Sequence, residues 1–138
     1  MSYIDLIKDR AKVDKKTIVL PESNDKRTLI AAAKILTGLK IINPQKTEKL
    51  DEYVNVLYET RKAKGMTPEK AREILLSDYL TFGIVMVKNN DADGKVAGAC
   101  HSTADTLRPA LQILKTAPGV KLVSAFFIMD TQMKNLGE

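Results

Sequence analysis

Thr17-Ile18-Val19-Leu20-Pro21-Glu22-Ser23-Asn24-Asp25-Lys26-Arg27 is the stretch that decides the fold class. A β-branched and apolar run, stopped by a proline that cannot donate to a ladder, reads as a short buried strand. Behind it the period changes. Leu29, Ile30, Ala33 and Ile35 fall at helical spacing over 26–36, with Asn24 or Asp25 placed to cap that helix. A second apolar run, Leu39-Lys40-Ile41-Ile42, follows and is closed by Asn43-Pro44.

The alternation continues outward in both directions. Upstream, Tyr3, Ile4, Ile7 and Ala11 make 2–13 a short amphipathic helix. Downstream, Leu50, Tyr53, Val54, Leu57 and Tyr58 share one face of a helix that begins near Thr47 and meets a natural stop at Gly65. Thr67-Pro68-Glu69 restarts a helix in the favoured order: a cap, a proline at the first helical position, and an acid near the positive end of the dipole. Ala71, Ile74 and Leu75 form its inner face. A further helix is expected over 79–87, a turn over 89–94, a strand of small residues over 95–101 and a strongly apolar strand over 121–129. Between those strands lies a helix holding Leu107, Leu111 and Leu114. The prediction is α/β: an open, largely parallel sheet covered by helices, in a single domain.

Composition agrees and excludes several function classes. The 138 residues are 44% hydrophobic and only 5% aromatic, without tryptophan, so the core is aliphatic. Cys100 is the only cysteine, which rules out an internal disulfide or a cysteine-rich zinc site and makes a reducing, cytoplasmic setting the expectation. The charged N-terminal sixteen residues do not read as a signal peptide, and no run approaches the ~20 apolar residues of a membrane span. The net charge of +5, from 22 basic against 17 acidic residues, favours anionic partners. Nucleic acid is disfavoured, because basic residues are not interleaved with stacking aromatics. A phosphorylated small molecule fits the charge.

In open α/β sheets, ligands collect beyond the carboxyl ends of the strands, where helix N-termini and loop amides converge. The loops at Pro21–Asp25, around Asn43-Pro44 and at His101-Ser102-Thr103-Ala104-Asp105-Thr106 occupy such places. Pro109 lacks an amide hydrogen and suits a first turn, so the last of these loops should run into a helix starting near Asp105 or Thr106. Ser102 and Thr103 would then stay in the loop with hydroxyls and amides available to a phosphate, and Arg108 would sit one turn away. The competing reading, with Ser102 capping an earlier helix through Ser102-x-x-Asp105, stands level with it. Other signals have plainer readings. Asp91-Ala92-Asp93-Gly94 opens like a calcium loop but lacks the later ligands, so a turn is favoured. His101 has no partner set for metal or triad chemistry and suits a supporting role. Cys100 reads as a core thiol, and Arg61-Lys62-Ala63-Lys64 as a solvated helix end. Glu22 and Asp25 suit helix capping better than an acid–base pair. No metal site, Walker loop or dinucleotide fingerprint is present.

Three segments together carry a family resemblance. They are Thr17–Arg27, then Leu57-Tyr58-Glu59-Thr60-Arg61-Lys62-Ala63-Lys64-Gly65-Met66-Thr67, and the stretch from Asp91-Ala92-Asp93-Gly94 through His101–Gln112 to Lys115-Thr116-Ala117-Pro118-Gly119-Val120. Across nearly the whole chain this wording resembles the N-terminal portion of the phosphate acetyltransferases. The resemblance implies an isocitrate/isopropylmalate dehydrogenase-like fold with helices on both sheet faces. It also implies acetyl transfer between coenzyme A and phosphate, in the cytoplasm, by a homo-oligomer, a dimer. No permanently bound cofactor is implied; coenzyme A or acetyl-CoA is a substrate, with acetyl phosphate or phosphate as the other. Arg61 and Arg108 match positions implicated in coenzyme A recognition, and Ser102 and Thr103 match a phosphate-side loop. Two departures stand out: after Thr37 the pattern skips a strand and helix, on the order of 25 residues, and it stops before the family's second domain. The family's catalytic Ser, Asp and Arg would lie in that later part, so the chain is expected to be a single partial α/β domain, inactive alone. The alternative is a non-catalytic fragment or scaffold subunit that binds coenzyme A or phosphate.

Overall fold

The computed structural model describes residues 3–35, 39–40 and 46–129, which divide into two compact units. The larger, Lys16–Lys115, holds the sheet and most helices; the smaller joins Met1–Lys15 with Thr116–Glu138.

In the larger unit the expected alternation forms. β1 (Ile18–Val19) is the middle strand of a three-stranded sheet, flanked by β2 (Leu39–Lys40) and β3 (Gly94–Lys95). Both pairings are parallel, with Ile18 opposite Leu39 on one side and Gly94 on the other. Asp93 reinforces the pairing: its carboxylate accepts the Thr17 amide at 2.7 Å. The ladder is short. Pro21 has no amide to extend it, and the strand expected over 95–101 is confined to Gly94–Lys95, because the following residues leave the sheet to wrap a carboxylate. The expected junction after Thr37, the end of the second strand and its closure at Asn43-Pro44 lie outside the described residues.

The helices form the core. Counting α1 (Tyr3–Val13) in the smaller unit, they are α2 (Lys26–Ile35), α3 (Leu50–Arg61), α4 (Pro68–Ser77), α5 (Tyr79–Lys88) and α6 (Thr103–Ile113). As the spacing predicted, α3 buries Tyr53, Val54 and Leu57, runs on through a short 3-10 turn, and stops at Gly65. Thr67 caps α4 by accepting the Lys70 amide, with Pro68 at its first position. Leu80 to Met86 of α5 are all buried and, Thr81 apart, carry no polar side chain, so α5 is the central helix of the unit. Phe82 meets Tyr53 edge to face with ring centres 5.2 Å apart. Gly83 lets α5 approach the sheet: a Cβ there would lie 3.1 Å from Val19 Cγ1.

α6 departs from the expected start. Ser102 is its N-cap, accepting the Asp105 amide at 3.1 Å, so the helix begins at Thr103 and Pro109 is interior. The Ser102-x-x-Asp105 cap decided the start, although Pro109 then offers no hydrogen to the Asp105 carbonyl.

In the smaller unit, α1 buries no residue, and Tyr3, Leu6 and Ile7 remain exposed. The strand expected over 121–129 does not form; the described residues there are irregular and exposed, with no ladder partner among the described residues. No described helix is long and apolar enough to cross a membrane.

Candidate functional site

Arg61 and Arg108 come together. Arg61 is four residues after the buried Leu57 on α3, so helical periodicity turns it toward the same side and leaves it half-buried. Lys62 and Lys64, by contrast, are exposed, and Lys62 pairs with Glu59. The basic run therefore divides: its lysines decorate the surface, and its arginine lines a cleft of about 320 Å³. Arg108, on the second turn of α6, lines the same cleft. Leu57, Met66, Ile74 and Ile113 make its apolar surface, and Ser77, Thr81 and Gln112 add neutral polar groups. Asp78 also borders it, but as the α5 cap its carboxylate accepts the Leu80 and Thr81 amides and the Thr81 hydroxyl. A larger groove, about 640 Å³, lies between α3 and α4. It is lined by Asp51, Glu69 and Glu73 with Arg72, which is already paired to Asp51, so its charge disfavours an anion.

Ser102 and Thr103 are exposed at the N-terminus of α6 and do not line the cleft. The Ser102 hydroxyl is committed to Asp105, accepting its amide and donating to its carboxylate. Thr103, in the first turn, stands where helix amides lack intrahelical acceptors.

The amides just before Ser102 have a resident anion. Glu22, only 4% exposed, accepts the Gly98 and Ala99 amides at 2.8 and 2.7 Å and the Cys100 amide at 3.0 Å, and its Oε1 lies 2.6 Å from His101 Nδ1. Gly98 takes φ +111°, a region that side chains disfavour, as the three amides converge. Burial pushes the Glu22 carboxyl upward, but His101 and the three amides outweigh it and hold it at about 2. His101 thus has the supporting role its isolation suggested. Arg27 closes the loop from the other side. Its guanidinium holds Asp25 at 2.8 Å and donates to the Ala99 carbonyl at 2.9 Å. Asp25 also accepts the Arg27 amide near the start of α2, and Arg27 keeps its carboxyl well below the usual range. Glu22 and Asp25 are therefore separately engaged, as a loop anchor and a helix-end acceptor.

Cys100 is exposed, not a core thiol. Glu22, Cys100 and His101 bring an oxygen, a sulfur and a ring nitrogen within 4.8 Å of one another. They make a poor cation site: both Glu22 oxygens are already acceptors, and desolvation with nearby carboxylates raises the thiol's pKa, opposing thiolate formation.

Sequence reasoning missed the Glu22 loop. Its one local signal was Gly98 three residues before His101, and nothing in 98–101 indicates that a carboxylate 76 residues upstream fills it.

Residues 35–137 match the phosphate acetyl/butaryl transferase family. Phosphate acetyltransferase from Acetivibrio thermocellus is 51% identical over 154 residues, covering 94% of this chain and 46% of the relative. That from Thermoanaerobacterium thermosaccharolyticum is 47% identical over 163 residues, covering all of this chain and 49% of the relative. Because 163 aligned positions exceed the chain's 138 residues, that relative has at least 25 positions with no counterpart here. Among solved structures, a phosphotransacetylase from Streptococcus pyogenes superposes with TM-score 0.76 at 36% identity, over 88% of this chain and 46% of that one. The EutD phosphotransacetylase from Staphylococcus aureus gives 0.75 at 36%, over 86% and 44%. The chain spans about half the length of these relatives. With three quarters of its residues matched and its fold shared at this identity, the chain belongs to the phosphate acetyl/butaryl transferase family.

Proposed function

We propose that this chain is the coenzyme A-gripping part of a phosphate acetyltransferase, which interconverts acetyl-CoA plus phosphate with coenzyme A plus acetyl phosphate. The observation that carries the reading is the convergence of Arg61 and Arg108, from two helices far apart in sequence, on one cleft with apolar and polar walls. Guanidinium pairs suit the phosphates of coenzyme A, and the apolar surface suits its uncharged portion. Thr103 and the backbone of Ser102, whose hydroxyl already serves Asp105, suit the phosphate side of the reaction at the open end of α6.

In the transfer, the coenzyme A thiolate attacks the acetyl carbonyl, the carbon–oxygen bond to phosphate breaks, and phosphate leaves with the bonding electrons. The step needs a base near the thiol and donors on the developing oxyanion. Asp78 is held as a cap and Glu22 as a loop anchor, so neither is free to serve as that base. On this reading the 138 residues are a partial domain that binds without turnover, and a non-catalytic binding subunit is the second reading. The complete fold on this reading is isocitrate/isopropylmalate dehydrogenase-like, and the protein is a cytoplasmic homodimer.

Isothermal titration of coenzyme A into the chain tests the proposal. A guanidinium bond to a phosphate contributes about 1.5–3 kcal/mol, so Arg108→Ala and Arg61→Ala should each weaken binding roughly tenfold or more. Affinity unchanged by both substitutions would sink the reading.

A further inference from the structure

The Glu22 loop fixes more than itself. Its carboxyl is 4% exposed and titrates at about 2, so at neutral pH it is ionised and carries no hydrogen. One oxygen accepts the Gly98 and Ala99 amides, and the other, Oε1, the Cys100 amide. The 2.6 Å contact between Oε1 and His101 Nδ1 must then have its hydrogen on the ring nitrogen. A neutral imidazole with Nδ1–H keeps a bare lone pair on Nε2. The His101 side chain is 45% exposed, and among the described residues none bonds Nε2. A half-exposed imidazole whose tautomer is set by a buried carboxylate is the arrangement of an oriented proton carrier. The neighbouring groups do not compete for the proton. Arg27 is occupied by Asp25 and the Ala99 carbonyl, and desolvation with the Glu22 and Asp25 carboxylates keeps the Cys100 thiol protonated.

We propose that His101 is a catalytic residue on the phosphate side of the transfer: its Nε2 exchanges the proton of hydrogen phosphate, and Glu22 positions the ring. This role rests on the phosphate acetyltransferase reading, in which Thr103 and the Ser102 backbone face phosphate; His101 immediately precedes them. It does not line the cleft of Arg61 and Arg108, which leaves that cleft to coenzyme A. When hydrogen phosphate attacks the acetyl thioester, a carbon–oxygen bond forms and its hydrogen passes to Nε2. The carbon–sulfur bond breaks, and its electron pair leaves on the coenzyme A thiolate. The imidazolium then returns its proton to water, and the thiolate takes one from water. In the opposite direction the thiolate attacks, the carbon–oxygen bond breaks, and the departing phosphate takes the proton from Nε2.

His101 is the only histidine, so nitrogen NMR of the isotope-labelled 138-residue chain reads it alone. At a pH where the ring is neutral, Nδ1 should resonate as an N–H and Nε2 as a bare imine nitrogen. Inorganic phosphate at fixed pH should move Nε2 saturably toward its protonated position, and potassium chloride at matched ionic strength should not. His101→Asn separates this role from a structural one. The asparagine amide can still donate to Glu22 but places nothing at Nε2, so the unfolding midpoint should hold while phosphate affinity falls about tenfold. Glu22→Gln, whose amide can donate as well as accept, should admit the Nε2–H tautomer. An Nε2–H tautomer in the unaltered chain, an Nε2 unmoved by phosphate, or unchanged phosphate affinity in His101→Asn would each overturn the assignment. A tautomer unaffected by Glu22→Gln would remove Glu22 from it. Coenzyme A titrations keep the two readings apart: His101→Asn should leave coenzyme A affinity unchanged, and Arg61→Ala with Arg108→Ala should leave the phosphate response of Nε2 intact. Phosphate at Nε2 without coenzyme A binding would overturn the cleft reading and keep His101; coenzyme A binding with a silent Nε2 would do the reverse.

Discussion

Replacing Glu22 by Gln probes the most heavily bonded side chain near the proposed site. Glu22 titrates at about 2 in the folded protein against an ordinary 4.5. At about 1.4 kcal/mol per pH unit, that gap corresponds to roughly 3 kcal/mol of stability. The bonding leads to a similar figure. A glutamine amide nitrogen cannot accept, so two of the four donors at 98–101 would lose their acceptor, at about 1–3 kcal/mol each. Because the folded carboxyl titrates below the unfolded one, its contribution is fully present above pH 4.5 and is lost as pH falls through about 2. Glu22→Gln should therefore cost about 3 kcal/mol at pH 7, and that penalty should shrink steadily between pH 4.5 and 2. Urea unfolding followed by far-UV circular dichroism at pH 7, 4 and 2.5 measures both quantities. A penalty under about 0.5 kcal/mol at pH 7, or one that stays constant to pH 2.5, would refute the account of the loop as amides organised around a buried anion.

Two other substitutions test separate features. Pro109→Ala restores a donor to the Asp105 carbonyl inside α6 and should raise stability by about 1–2 kcal/mol, after allowing for the looser unfolded chain; a lower melting temperature would show that the proline ring's packing beside the cleft outweighs the missing hydrogen bond. Lys95 has a buried Nζ without a hydrogen-bond partner, and burial lowers its pKa from 10.5. The folded protein therefore releases this proton before the unfolded chain does, and stability should rise with pH through the window ending near 10.5. Lys95→Met should add about 1 kcal/mol at neutral pH and flatten that rise; an undiminished slope between pH 8 and 10.5 would count against it.

What the sequence by itself determined is whatever depends on neighbours along the chain. The stop at Gly65, the Thr67-Pro68 start and the inner face of α3 follow from backbone sterics, amide satisfaction and a 3.6-residue period, each acting within a turn or two. The strand at Ile18-Val19 was legible for the same reason. Where two local rules conflicted at α6, periodicity could not choose; the Ser102 cap prevailed over Pro109's preference for a first turn. Arg61 illustrates the boundary. Its phase relative to Leu57 is written in the sequence, but only the packing of α6 beside α3 makes that side of the helix a cleft wall instead of a solvated end. The Glu22 loop was beyond local reading, since its acceptor and donors are 76 to 79 residues apart and meet only because β1 and β3 pair in parallel and end side by side. The apolar run at 121–129 shows the reverse limit. Its composition specifies a strand, but a strand exists only when another supplies its hydrogen bonds, and tertiary pairing alone decides that.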